Sequence, residues 1–160
     1  MHRITATILT LLLAIGFTAS AAFATNGAHF MSAGDSVNGA GALVATFDEA
    51  GLGNGDINYV LSADATALYA CINGGGNHPK AANKQSFQGQ VSQGGTFQAK
   101  NGRVRASLVT GPLSAGSFSC PSGQTLVLAS VSYTNVVLTD TTNNVSATLA
   151  DVSRTFVDLR

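Results

Sequence analysis

Residues 68–84 read Leu-Tyr-Ala-Cys-Ile-Asn-Gly-Gly-Gly-Asn-His-Pro-Lys-Ala-Ala-Asn-Lys, and they set the pattern for the rest of the chain. An apolar, β-prone segment ends at Ile72 and is followed by three consecutive glycines, which cannot pack or hold a strand. Short apolar runs separated by Gly- and Asn-rich turns continue on both sides of this segment. That alternation is typical of short antiparallel strands joined by turns.

Apolar and polar residues alternate with period two over several segments, which predicts strands with one face in the core. The predicted strands cover residues 40–47, 57–63, 65–72, 85–92, 96–100, 103–110, 125–140 and 145–152, with a docked tail at 156–159. We expect an irregular lead-in before residue 39, a turn at Asp64 and a turn or bulge at Gly94-Gly95. The apolar phase of the longest segment changes after Asn135, which predicts a bulge there.

Asn101-Gly102 is the strongest local turn signal in the chain. Both residues tolerate the positive φ angles of a type I′ turn, so they predict a two-residue hairpin between strands 96–100 and 103–110.

These features predict an all-β fold, namely an antiparallel β-sandwich of about seven to nine short strands with Ig-like or Greek-key architecture. A small β-barrel is the alternative. The chain has 0 Trp, so an immunoglobulin-like core tryptophan is absent.

Residues 1–24 have the pattern of a cleaved secretory signal peptide: a basic start, an apolar core and a small-x-small end at Ala22-Phe23-Ala24. Residues 25–160 are then expected to form one β-sandwich domain that is secreted, extracellular, or periplasmic in a two-membrane bacterium. A retained anchor is the alternative, although the apolar core is shorter than the roughly 20 residues of a membrane span. No membrane span is expected after cleavage.

Cys71 and Cys120 are the 2 cysteines of the chain. An even cysteine count in an exported protein predicts one disulfide, which would close a long loop.

Charge is distributed unevenly along the chain. Residues 25–64 contain acidic residues and no Lys or Arg, whereas residues 65–105 contain Lys and Arg and no acid. Two interpretations follow: the two segments are neighbours in the fold, or they form a polar surface that orients a partner or stacks subunits head to tail. The near-zero net charge argues against nucleic acid as a partner.

The acidic Gly-rich segment 48–58 is a candidate calcium site, because carboxylate and amide oxygens are the donors that this ion prefers. An acidic hairpin turn is the alternative interpretation. No other cofactor is expected. The candidate ligands are Asp48, Glu49, Asn54, Asp56 and Asn58.

No catalytic residues are predicted. Gly34-Asp35-Ser36 resembles the nucleophile block of the GDSL-type lipases and esterases over three residues only, and Arg154 stands where that family's Asp-x-x-His needs histidine. His29 and His78 lack the spacing of a zinc site. The chain is therefore expected not to be an enzyme.

The first functional hypothesis is a secreted, non-catalytic domain that binds an extracellular or cell-surface component, either a polysaccharide or a protein. Tyr59, Tyr69 and Tyr133 could stack on sugars in that case. The alternative is a structural or envelope protein that assembles with itself. A small secreted enzyme or enzyme inhibitor is a lesser alternative.

Overall fold

The structure, a computed structural model, describes residues 27–73 and 83–159. The predicted signal peptide at 1–24, His78 and the glycine triplet lie outside these residues. The described chain forms antiparallel strands and no helix. The strands are β1 (His29–Val37), β2 (Leu43–Ala50), β3 (Asp56–Asn73), β4 (Lys84–Gln98), β5 (Arg103–Thr110), β6 (Gln124–Asp140), β7 (Val145–Thr148) and β8 (Val152–Thr155).

The strands form two sheets that pack face to face. Sheet A has the order β1-β2-β5, and sheet B has the order β4-β3-β6-β7, with β8 also paired to β6. Named by the immunoglobulin convention, these are strands A-B-E against C′-C-F-G. The predicted β-sandwich of Ig-like architecture is therefore confirmed, and the fold is not the β-barrel that was its alternative. Within residues 27–73 and 83–159, no helix has the length and apolarity needed to cross a membrane.

The core lies between the sheets and is built from alternate residues of each strand. On β2 the buried positions are Leu43, Ala45, Phe47 and Glu49. Aromatic rings fill one end of the core, where the rings of Phe47 and Tyr59 are 4.6 Å apart between centroids. Such tilted ring pairs stabilise a core beyond the area that they bury.

Two strands are longer than predicted, and one was missed. β3 runs through Asp64, where a turn is expected from the sequence. The register between β3 and β6 shifts between Ser62 and Asp64 instead. β4 likewise runs through the predicted break at Gly94-Gly95. The expected lead-in is instead strand β1, which contains Ser36. Pairing with neighbouring strands outweighs the weak local preference of these residues for extended structure.

The bulge predicted near Asn135 is confirmed. Asn135 has φ 52°. On either side of it, Ser62 of β3 pairs with Val137 and Asp64 pairs with Thr134, so β6 has one extra residue here. The side-chain amide of Asn135 donates a 2.8 Å hydrogen bond to Asp64.

The predicted strand 145–152 is correct only in its first half, where β7 pairs with residues 137–140 of β6. β8 begins at Val152, where the predicted strand ends, and pairs with residues 130–133. The tail 156–159, expected to dock as a last strand, forms no strand, although Phe156 packs against the core.

The Asn101-Gly102 turn forms with the predicted positive φ angles of 52° and 72°. Lys100 and Arg103 close it through N–H···O hydrogen bonds of 2.9 and 3.1 Å. The predicted pairing of the flanking strands is wrong, because β4 pairs with β3 whereas β5 pairs with β2. The turn therefore carries the chain from sheet B to sheet A, where β2 provides a partner along the whole length of β5.

Cys71 and Cys120 form the predicted disulfide, with Cα atoms 5.5 Å apart. The bond joins the end of β3 to the loop that connects β5 with β6. The disulfide therefore attaches the loop that crosses from sheet A to sheet B to the end of β3 in sheet B.

Candidate functional site

A cleft of about 790 Å³ lies beside the turn between β4 and β5. This volume falls within the range of ligand pockets, about 300–1,000 Å³. The cleft is lined by Phe97, Gln98, Lys100, Asn101, Arg103, Val104 and Arg105. The lining includes Lys100, Arg103 and Arg105, which are three of the chain's 8 Lys and Arg residues, and it includes no acidic residue, so the cleft is locally basic.

The local sequence explains why the three cations meet. The Asn101-Gly102 turn reverses the chain between Lys100 and Arg103. Arg103 and Arg105 then alternate with Val104, which is buried against the core, so both arginines lie on the outer face of β5. Phe97 also lines the cleft, and its ring packs against the core, with 6.0 Å between its centroid and that of Phe47 and 5.9 Å to that of Tyr59.

Asp48 of β2 pairs with both arginines. Arg103 donates to it through Nε at 2.5 Å and also through Nη2, and Arg105 donates through Nε at 2.9 Å. The hydrogen bonds from Arg103, followed by those from Arg105, lower the pKa of Asp48 to about 2. The same pairing raises the pKa of Arg103. The acidic and basic segments are thus neighbours here, as the first interpretation of the charge pattern expected.

The cleft keeps an excess of positive charge after this pairing. Lys100, Arg103 and Arg105 stand against one carboxylate, which leaves a local charge of 3 − 1 = +2. The side chains of Arg103 and Arg105 remain 40% and 68% exposed. Their outward N–H groups can therefore donate to a further anionic group, in the forked geometry that suits carboxylate and sulfate.

The residues predicted to hold calcium are not gathered into one cluster. Asp48 is paired with arginines, whereas its neighbour Glu49 points into the core. The Asn58 carboxamide oxygen accepts a 2.7 Å hydrogen bond from Thr96, and Asn54 and Asp56 are exposed. Among residues 27–73 and 83–159, no group of three or more His, Cys, Asp or Glu residues could hold a metal ion. Calcium binding stays a prediction.

Sequence reasoning missed a buried acidic pair. Glu49 of β2 and Asp140 at the end of β6 are each 0% exposed, and Tyr59 lies beside them at 1%. The two carboxyl oxygens of Glu49 and the hydroxyl of Tyr59 lack a hydrogen-bond partner of ordinary geometry. Burial raises the pKa of Glu49, with a further contribution from Asp140. The signal was available, since Glu49 continues the alternation of Ala45 and Phe47.

The tyrosines that could have stacked on sugars are not exposed. Tyr59 and Tyr133 are 1% and 0% exposed, and the Tyr133 hydroxyl donates to Gly41 O at 2.7 Å. The Tyr69 hydroxyl donates to Leu113 O at 2.9 Å. In the described part of the chain the exposed large apolar residues are Met31, Val109 and Leu126, none of which is aromatic.

Comparison of the chain with protein-family models, with curated proteins and with solved structures finds no match in any of the three. The chemistry of the cleft is therefore the basis for inferring a function.

Proposed function

We propose that this protein is an exported, non-catalytic β-sandwich domain that binds an acidic polysaccharide of a cell surface or extracellular matrix. The observation that carries the proposal is the basic cleft, where Lys100, Arg103 and Arg105 line one depression of about 790 Å³. The ligand groups would be carboxylates or sulfates, which pair with guanidinium groups in a two-point geometry.

The binding mode is ionic. Sugar-binding surfaces often use aromatic rings as platforms, but the tyrosines of this chain are held in the interior or against the loop after β5. The cleft instead offers exposed cations, two of which already bind a carboxylate of the chain itself. Asp48 also fixes the orientation of both arginines, which reduces the conformational entropy that they lose when a ligand binds.

Two features support export. The predicted signal peptide directs the chain out of the cytoplasm. The Cys71–Cys120 disulfide is of a kind that persists in oxidising compartments and is rare in the cytosol.

The lining of the cleft supports a binding role rather than catalysis. It contains no Ser, Thr, Cys, His, Asp or Glu, so it offers neither a nucleophile with a base nor a pair of carboxyl groups. The cations of the cleft and the side-chain amides of Gln98 and Asn101 are all able to donate hydrogen bonds to an anion.

The test is affinity gel electrophoresis and calorimetry with polygalacturonate, dextran sulfate and neutral dextran as probes. We expect the acidic polymers to bind and neutral dextran not to bind. The double variant Lys100→Ala/Arg105→Ala should bind about 10-fold more weakly, since each exposed ion pair contributes up to about 1 kcal/mol. Arg154→Ala, at an exposed arginine on β8 at the edge of sheet B opposite β4, is the matched control and should bind normally.

Binding should weaken as salt is raised, because exposed ion pairs are screened. Equal binding of neutral dextran, or an equal loss in Arg154→Ala, would contradict the proposal. Equal or tighter binding of single-stranded DNA would show that the class of polymer is wrong.

A further inference from the structure

β4 is the outermost strand of sheet B and differs from ordinary sheet edges. It is 15 residues long, and from Gln85 to Gln98 it has no charged residue and no proline. Its register with β3 runs from Asp56↔Gln98 to Ala70↔Lys84 without a shift, so no bulge interrupts it. Natural proteins protect edge strands with charge, proline, bulges or shortness, because a bare edge invites another strand.

The other edges of the described sandwich carry such protection. β1 has a register shift between Phe30 and Ser32. β5 carries Arg103 and Arg105. The opposite edge of sheet B is divided between β7 and β8, which are 4 residues each. The contrast singles out β4 as the edge that can accept a strand.

We propose that β4 pairs antiparallel with β4 of a second copy of this chain, about a two-fold axis at Val91. This register pairs all residues of the strand, since Lys84 then lies opposite Gln98 of the second copy. The two copies of sheet B become one continuous sheet, with backbone hydrogen bonds supplying the affinity.

Side chains on the inner face of β4 complement one another in this register. Phe87, Val91 and Gly95 are each partly exposed in the single chain. Val91 would face Val91 of the second copy, and Phe87 would face its Gly95. Apolar cross-strand pairs such as Val91 with Val91 stabilise a sheet, and Gly95 adds no side chain that would clash with Phe87 of the second copy.

Charge also favours a second copy as the occupant. The one charged residue of β4 is Lys84, at its first position. Antiparallel pairing places the two Lys84 side chains at opposite ends of the interface, about 46 Å apart at 3.3 Å per residue. On the outer face, Gln90 would lie opposite Ser92, where an amide and a hydroxyl can share a hydrogen bond.

The inference rests on the β4 backbone, which meets the basic cleft only at Phe97 and Gln98. Charge variants at residues 90 and 92 leave the three cations of the cleft in place, so dimerisation and polysaccharide binding can fail separately. The first test is sedimentation velocity over a concentration series of the wild-type protein. The variants Gln90→Lys/Ser92→Lys and Gln90→Glu/Ser92→Glu would place like charges opposite one another across the axis. Each should raise the dimer dissociation constant by at least about 30-fold.

Mixing the two double variants should restore the dimer, because opposite charges then face each other, and a misfolded variant could not give this result. Ser153→Lys/Thr155→Lys, at exposed positions on the far edge of sheet B, is the matched control and should dimerise normally. Val91→Cys should give a covalent dimer on oxidation, whereas Gln93→Cys should not, because only residue 91 meets its own copy in this register.

A wild-type protein that stays monomeric up to about 1 mM would overturn the proposal. A dimer that is unaffected by the charge variants, or that is not restored by mixing them, would equally overturn it.

Discussion

Glu49 of sheet A and Asp140 of sheet B interact across the interior of the sandwich, and both side chains are 0% exposed. Asp140 accepts hydrogen bonds from the backbone N–H groups of Thr142 and Asn143, at 2.8 and 3.0 Å, and from the Asn143 amide at 2.7 Å. The oxygens of Glu49 have no such partner. Burial therefore raises the pKa of the Glu49 carboxyl and favours its protonated form.

This relationship predicts that the protein loses stability as the pH rises. The folded-state pKa of Glu49 is raised above its ordinary value of 4.5, first by burial, so the folded protein binds more protons than the unfolded chain above that pH. Each pH unit between the two pKa values removes about 1.4 kcal/mol of stability. Glu49→Gln should flatten this decline and raise the melting temperature at pH 8, measured by thermal unfolding at several pH values.

Asp56→Asn, which neutralises an exposed acid, is the matched control for Glu49→Gln and should keep the wild-type slope. Burial also raises the pKa of Asp35, so a smaller decline with pH should remain in Glu49→Gln. A wild-type melting temperature that rises steadily from pH 5 to pH 8 would rule out the assignment of the buried proton.

The ion pairs of Asp48 predict the opposite pH dependence. Hydrogen bonds from Arg103 lower the folded-state pKa of Asp48 from 3.8 to about 2, so their stabilising effect is present above pH 3.8 and is lost as the pH falls through about 2. Asp48→Asn should lower the melting temperature modestly at pH 7. The difference from wild type should vanish near pH 2, and its persistence there would refute the ion-pair explanation.

Gly102 should tolerate no side chain. Its φ is +72°, and a Cβ atom there would lie 2.8 Å from the carbonyl oxygen of Leu52. Gly102→Ala is expected to destabilise the fold by about 1–3 kcal/mol through backbone strain and this contact. Because the turn positions Lys100 and Arg103, the variant should also weaken binding of polygalacturonate.

Urea unfolding of Gly102→Ala beside Gly53→Ala provides the comparison, since a Cβ at Gly53 would have no heavy atom within 4 Å. Equal stability of the two variants would show that the turn is not strained by a side chain.

The disulfide should account for a large part of the stability. Cys71 and Cys120 are 49 residues apart in sequence, and closing a loop of this length contributes on the order of 4 kcal/mol in the chain-entropy model. The double variant Cys71→Ser/Cys120→Ser should lose a comparable amount in urea unfolding. The wild-type protein should show the same loss under reducing conditions, and an unchanged unfolding midpoint would contradict the expectation.

Local patterns were enough to predict the sandwich, the disulfide, the positive φ angles at Asn101-Gly102 and the bulge at Asn135. Each depends on alternation, cysteine count or the conformational preference of one or two residues. These are properties of short segments, so they can be derived without knowing which strands become neighbours.

The features that were missed depend on distant partners. β3 continues through Asp64 because β4 and β6 pair with it on both sides. The Asn101-Gly102 turn crosses between sheets because β2 is available to β5. The cleft arises from that crossing, and the basic segment alone could not reveal it. Glu49 lies in an acidic, Gly-rich segment whose composition indicates calcium, whereas its place in the alternation of β2 puts it in the core.

The position of the disulfide has a mechanical consequence when the chain is pulled from both sides of the bond. Tension applied along the chain would pass from Cys71 to Cys120 through the sulfur–sulfur bond and bypass residues 72–119. That bypassed segment contains all of β4 and β5. The load would fall directly on β3 and β6, whose long antiparallel pairing resists it. β4 and β5 would feel it only through the hydrogen bonds that join them to β3 and β2.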